Sequence, residues 1–314
     1  MFLKINNITY LKNEPLIKHC SFKIGGKAKH FISAHNVDAL LDALYTCKQH
    51  SIKYKVVGNG SNLLFDDLGF DGAIIKYDND IKQIKNGILQ ASSGCFLSEL
   101  IQYTTSCNLS GFEFAIGVPA QLGGAITNNL GAYNQEISTY IDHVTILKSN
   151  QILYLTKQDC NFKYHSSNLQ NDNIVLGATF NLPFQDKAIS RANALQYFTK
   201  RTNTQPLNLP NAGSIFKRIN LNNQISLNTK TLQQNCFMDN QTSYISPAQL
   251  IDTIGLKGLT IGGAQVSTKH AGFIVNIGNA KSNDILKLIE IIKNKIYEKY
   301  NINLQLEIEY LPYR

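Results

Sequence analysis

Val57-Gly58-Asn59-Gly60-Ser61-Asn62-Leu63-Leu64 is an apolar, strand-like run broken by a glycine turn and then resumed. Glycine lets the main chain take positive φ and approach a ligand closely. Consecutive free N–H groups in such a turn form a concavity suited to an anion such as a pyrophosphate. Three further turns of this kind surround it: Ile24-Gly25-Gly26, Gly117-Val118-Pro119 leading into Gly123-Gly124-Ala125, and Gly131-Ala132-Tyr133. Singly, each is more simply read as a tight turn. Together, beside short apolar strands, they suggest a long anionic cofactor held by backbone. None spells Gly-x-Gly-x-x-Gly opening a helix, or a glycine loop ending in Gly-Lys-Ser/Thr, so neither a dinucleotide-binding doubly wound sheet nor a P-loop is supported.

Outward from that turn, the pattern alternates without a regular βαβ repeat. Phe31-Ile32-Ser33 reads as extended, Val37 to His50 as a helix with Leu40, Leu41 and Leu44 on one face, and Tyr54 to Val57 as extended. Val144 to Leu147 and Gln151 to Leu155 around Ser149-Asn150 read as a hairpin. Ala188 to Arg201, Pro247 to Ile254 and Asn283 to Tyr300 read as helices, the last with Ser282 as N-cap, and Leu304 to Tyr310 as a final strand. Gln205-Pro206-Leu207-Asn208-Leu209-Pro210 is proline-bounded and extended, which places a domain boundary near 202–206. The polar stretch Asn220 to Tyr244 reads as a surface insertion. The sum is an α+β architecture in several lobes.

With 314 residues, 43% of them hydrophobic, the chain can bury a sizeable core. Its net charge of +8 is spread rather than gathered into a basic patch with interleaved aromatics, which disfavours nucleic acid and suits an anionic small substrate. The six cysteines are widely spaced, with no Cys-x-x-Cys and no Cys/His cluster, so no metal site is expected. The first residues lack the apolar core of a signal peptide, and no apolar run has the length of a membrane span. Cytoplasmic location is the expectation, with no membrane partner and no obligate protein partner.

Four places could carry chemistry. Ser214, in Asn211-Ala212-Gly213-Ser214 ahead of Ile215-Phe216-Lys217, either caps a strand or presents a hydroxyl to a cleft as a proton donor. Glu307 and Glu309 share a face of one strand by period two, as a wet edge or as acid/base carboxylates. His165, in Tyr164-His165-Ser166, and His270 each read as structural or catalytic. Gly-x-Ser-x-Gly is absent, so a hydrolase triad has no support.

In order and spacing, these motifs resemble the UDP-N-acetylenolpyruvoylglucosamine reductase (MurB) family of flavoenzymes. The likeness runs from Ser21-Phe22-Lys23-Ile24-Gly25-Gly26 through the Gly58 turn and Asn129-Leu130-Gly131-Ala132-Tyr133. It continues through Cys160-x-Phe162-x-Tyr164, Gln205-Pro206-Leu207, Ala212-Gly213-Ser214-x-Phe216-Lys217, Ile261-Gly262-Gly263-Ala264 and Phe273-Ile274-Val275-Asn276. The resemblance implies a two-lobed FAD-binding module of the vanillyl-alcohol-oxidase (PCMH) type plus a C-terminal α+β substrate-binding domain. The expected division is residues 1–82 for lobe 1, joined by a returning strand in 304–314, then 83–203 for lobe 2 and 204–303 for the substrate domain. It implies non-covalent FAD, NADPH as reductant, and reduction of the enolpyruvyl ether of a UDP-sugar for peptidoglycan synthesis.

By the same resemblance, Gly58, Asn59, Gly60, Ser61, Asn62, Gly117, Val118, Pro119, Gly123, Gly124, Ala125, Asn129, Gly131 and Ala132 would contact the cofactor. Tyr164, Arg201 and Lys217 would contact substrate, with Arg201 and Lys217 near its phosphates. Ser214 would donate the proton. A protonated Glu307 would hydrogen-bond the enolate, and His165 would stand where the family usually carries Arg. Arg is permanently charged and bidentate, whereas His must be protonated, so activity is expected to fall as pH rises. Ala120 and Arg218-Ile219 also depart from the family's usual Gly and Asn-Pro.

Overall fold

A computed structural model describes residues 6–170, 173–220, 236–239 and 242–314, in two compact units. The first gathers Met1–Glu14, Lys27–Gly60 and Phe70–Arg201. One of its sheets has four strands in the order Ile8–Pro15, Lys27–Ala34, Gly69–Tyr77, Tyr54–Val57, the last two parallel. Helix Val37–Gln49 covers it. Asn36 caps that helix by accepting the Ala39 N–H at 2.8 Å, and Ala39, Leu40, Ala43, Leu44 and Cys47 face inward. They pack on Ile32, Ala34, Ala73 and Ile75. Leu40 is fully buried, so Leu40→Ala is expected to destabilise this layer by about 2–5 kcal/mol.

The second sheet of this unit has five strands in the order Gln151–Thr156, Ile141–Lys148, Ile174–Asn181, Ile88–Ser92, Lys82–Lys85, with the neighbours antiparallel. The expected hairpin is present: Lys148 pairs with Gln151 across Ser149 and Asn150. Both turn residues have positive φ, which matches the twist of a two-residue hairpin loop. Helix Leu97–Ser106 and the short helix Leu122–Thr127 contribute to the core beneath this sheet, where Phe112 meets Phe180 edge to face at 5.1 Å. Helix Lys187–Thr204 buries only Ser190 and Arg201.

The second unit gathers Pro15–Gly26, Ser61–Gly69 and Thr202–Arg314. Strands Thr260–Ile261, Ala264–Val266 and Ile274–Asn276 form an antiparallel sheet. Against it lies helix Ser282–Tyr300, whose inward stripe is Ile285, Leu288, Ile289, Ile292 and Ile296. Ser282 is the first helical residue rather than the cap. Its hydroxyl donates to Asp67 Oδ2 at 2.8 Å, and Lys281 takes the capping position, its N–H held by Asp284. Asn276 ties in the early segment: its Nδ2 donates to the Phe22 carbonyl at 3.2 Å, while its Oδ1 accepts from the N–H groups of Gly278 and Ala280.

The expected strand Leu304 to Tyr310 is shorter. Leu306 forms an antiparallel bridge with Phe216, whereas Glu309–Leu311 runs parallel to Leu63–Phe65. Changing partner between them puts a bend at Glu307 and Ile308, so Glu307 and Glu309 do not lie on one face of one regular strand. Within the expected insertion, positions 221–235 and 240–241 lie outside the described residues. Its described parts, Asn220 with Ile219, Cys236–Asp239 and Thr242–Ile245, form a three-stranded antiparallel sheet. Among the described residues no helix is long and apolar enough to cross a membrane.

Candidate active site

In the first unit, side chains from one loop fasten the backbone of the next. Gly58, Asn59 and Gly60 follow strand Tyr54–Val57, and Gly60 has φ +63°, which a side chain would strain. Asn59 donates from Nδ2 to the Pro119 carbonyl at 2.8 Å, so the turn at 58–60 and the turn at 117–119 are neighbours. Among the described residues, no backbone N–H of Gly58, Asn59 or Gly60 donates to a protein acceptor, which leaves these donors for a ligand. Gly124 faces open space, whereas Gly123 donates its N–H to the Ser93 carbonyl at 2.9 Å, and Ala125 is buried in its short helix.

Asn129 is fully buried. Its Nδ2 donates to Glu136 Oε2 and to the Lys163 carbonyl, both at 2.9 Å, so its amide frames the loops around Gly131 and Ala132 rather than projecting outward. That second bond reaches the turn bearing Tyr164 and His165, closed by paired backbone bonds between Lys163 and Ser166. Ser167 adds another tie to the Thr127 carbonyl at 2.6 Å. His165 sits at the tip with φ +46°, a left-handed seat in which His is enriched among non-glycine residues, and its ring meets Tyr164 at 4.3 Å. Arg201 is 7% exposed. It donates from Nη2 to the Phe114 carbonyl at 3.2 Å and lies 5.5 Å from the Tyr133 ring centre, with burial lowering its pKa. It therefore props the 114–117 and 131–133 segments.

In the second unit, one irregular segment is flanked on both sides. Asn211 organises its approach by donating from Nδ2 to the Leu209 carbonyl at 2.8 Å and accepting the Gly213 N–H at 3.0 Å. Gly213 has φ +79°, a reversal that places Ser214 in a bridge with Phe273. On the other side, the Glu307 N–H donates to the Ile215 carbonyl at 2.8 Å and the Lys217 N–H to the Gln305 carbonyl at 2.9 Å. Backbone pairing thus lays the segment that carries Ser214 and Lys217 beside the one that carries Glu307, some 90 residues on in sequence.

Asn62, expected among the cofactor contacts, donates from Nδ2 to the Glu307 carbonyl at 2.9 Å. Its own carbonyl accepts the Glu309 N–H. It brackets Glu307. His270 lies on the turn that leads into Phe273: its Nδ1 accepts the Gly272 N–H at 3.2 Å, and burial lowers its pKa. A cavity of about 500 Å³ lined by Gln205, Leu207, Gln265 and Lys269 contains none of Ser214, Lys217 and Glu307.

Comparison with known proteins bears on both units. Residues 28–150 match a FAD-binding domain model, and residues 205–311 match the C-terminal domain model of UDP-N-acetylenolpyruvoylglucosamine reductase. A UDP-N-acetylenolpyruvoylglucosamine reductase of Clostridium botulinum is 38% identical over 308 residues, covering 97% of this chain and 93% of the relative. The chain belongs to the UDP-N-acetylenolpyruvoylglucosamine reductase family. Another reductase of that name, from Caldicellulosiruptor saccharolyticus, is 36% identical over 312 residues. The crystal structure of the MurB reductase of Thermus caldophilus aligns with a TM-score of 0.77 and 25% identity, covering 97% of this chain and 99% of that one.

Membership makes FAD the expected resident cofactor, and the FAD-binding domain spans both the Gly58 turn and the Gly117–Ala132 segments. The undonated N–H groups at 58–60 fit a cofactor rich in acceptor oxygens. The side chains of Asn62, Asn129 and Arg201 are engaged in holding loops. Sequence reading does not reveal these ties, because a motif position looks the same with or without them.

Proposed function

We propose that this chain is an NADPH-dependent flavoenzyme of the cytoplasm that reduces the enolpyruvyl ether of UDP-N-acetylglucosamine to UDP-N-acetylmuramate for peptidoglycan precursor synthesis. The observation that carries this reading is the segment Gly213–Lys217, paired on one side with Phe273 and on the other with Gln305–Glu307. It carries a hydroxyl and a cation on a segment paired with the one that bears a carboxyl, groups of the kinds this reduction needs. When bound, FAD supplies the transfer of hydride from NADPH to the substrate's vinyl carbon.

Hydride arriving at the terminal vinyl carbon drives negative charge into the adjoining carboxylate. Glu307, held by Asn62 and Ile215, stabilises that charge only as a protonated donor, since an ionised carboxylate would repel it. Ser214 Oγ gives a proton to the neighbouring carbon. Lys217 holds substrate phosphate as a point charge, and Tyr164 with His165 contacts substrate. Residues 1–82 and 83–203 act as the two flavin lobes and 204–303 as the substrate domain.

An anaerobic absorbance titration tests this. NADPH is added to purified protein, then UDP-N-acetylglucosamine enolpyruvate, and the oxidised flavin spectrum is followed. Its rapid return with product formed is the expected outcome. His165 favours one second reading, a relative that binds flavin and UDP-sugar without turnover, and a flavin reduced by NADPH yet unchanged by substrate would select it.

A further inference from the structure

Gln121 is 2% exposed at the head of helix Leu122–Thr127. Its Nε2 donates to the Gly94 carbonyl at 2.9 Å and to Asp78 Oδ1 at 3.2 Å. Both partners are pure acceptors, which fixes the end of the amide that carries nitrogen. Oε1, at the other end, is buried and has no hydrogen-bond partner among the described residues. It faces the glycine turn: a Cβ built on Gly58 would stand 3.5 Å from Oε1. Buried polar atoms are almost always paired, and one that is not asks for a donor brought by something else.

We propose that Gln121 is a cofactor-positioning residue, its Oε1 accepting a hydrogen bond from a donor group of bound FAD. The inference rests on the chain's holding FAD and adds which part of FAD meets this atom. The pyrophosphate carries only acceptor oxygens and would repel Oε1. The donors in the reactive half of the cofactor are the ribityl hydroxyls and the ring N3–H. Gln121 is assigned to that half rather than to the adenosine half, whose own donors are its ribose hydroxyls and adenine amino group, while the N–H groups of Gly58, Asn59 and Gly60 serve acceptor oxygens beside it. The amide is oriented before FAD arrives, because Gly94 and Asp78 hold Nε2 from the opposite side.

The test is a cycle between protein and cofactor. Wild-type and Gln121→Met apoproteins are titrated with FAD, with 3-methyl-FAD, and with FAD analogues deoxygenated singly at the ribityl 2′, 3′ and 4′ positions, reading flavin fluorescence. One analogue is expected to bind wild type about tenfold more weakly than FAD, with most of that difference gone in Gln121→Met. Its identity tells the N3–H from a hydroxyl. Equal affinity of wild type for FAD and all four analogues would overturn the proposal, as would an analogue penalty of the same size in both proteins. Should Gln121→Met not fold, the wild-type series alone carries the first criterion. Wild-type apoprotein that takes up no FAD at all would instead remove the flavin reading on which this one rests.

Discussion

The first unit holds its candidate residues on loops tied by side chains, and the second holds its own by backbone pairing. Around the glycine turns, Asn59, Asn129 and Ser167 each place one side chain on a distant carbonyl. Around Ser214, the partners are main-chain groups of Gly272, Phe273, Gln305 and Glu307. Loops tied this way keep their own N–H groups for a ligand. A segment paired on both flanks has its main chain committed and offers side chains instead. The contrast is of main chain left open in the first unit against side chains left open in the second.

The largest expected effect comes from Ser214→Ala. Reoxidation of reduced flavin by substrate should slow by roughly 10²–10⁴-fold, with FAD affinity and the NADPH step unchanged, as stopped-flow absorbance would read. A slower NADPH step would blur the division of labour. Asn59→Ala should do the opposite, weakening FAD roughly fivefold by freeing the Pro119 carbonyl while leaving the protonation step of saturated enzyme near wild type.

Asn62→Ala sharpens the comparison because its motif position suggests cofactor while its bond is to Glu307. The substrate half-reaction is expected to slow by roughly fivefold at unchanged FAD affinity, and a loss confined to FAD affinity would return Asn62 to the cofactor side.

The smallest effect is on stability. Burial depresses the His270 pKa, so the unfolded chain takes up a proton there before the folded one does. Wild type should lose stability as pH falls below the unfolded value of about 6.5, and His270→Gln should lose less, by thermal melts at pH 7.5 and 5.5.

What the sequence made legible follows the same contrast. Glycine turns announce themselves, because few other residues take φ values such as that of Gly60, and the hairpin at Ser149-Asn150 and the stripe of Ile285 to Ile296 follow from turn chemistry and period. Ser214 and Glu307 stood out through their motifs. Their mutual placement did not, because the switch of partner between Leu306 and Glu309 depends on Phe216 and Leu63, far away in the chain. Ser282 looks like a cap in isolation, and Asp67 claims it from 215 residues away. Gln121 carries no local signal at all. Its meaning lies in Gly94, Asp78 and Gly58, which only folding brings to it.

The parallel pairing of Leu63–Phe65 with Glu309–Leu311 also sets a timetable for biosynthesis. The earlier strand leaves the ribosome long before its mate exists, and at roughly 5–20 residues per second the interval is on the order of tens of seconds. During that time Leu64 and Phe65, fully buried in the finished molecule, lack the partner that completes their strand pair. The turns of the first unit are all synthesised by then. A nascent chain thus carries all of its glycine turns well before Glu307 has been translated.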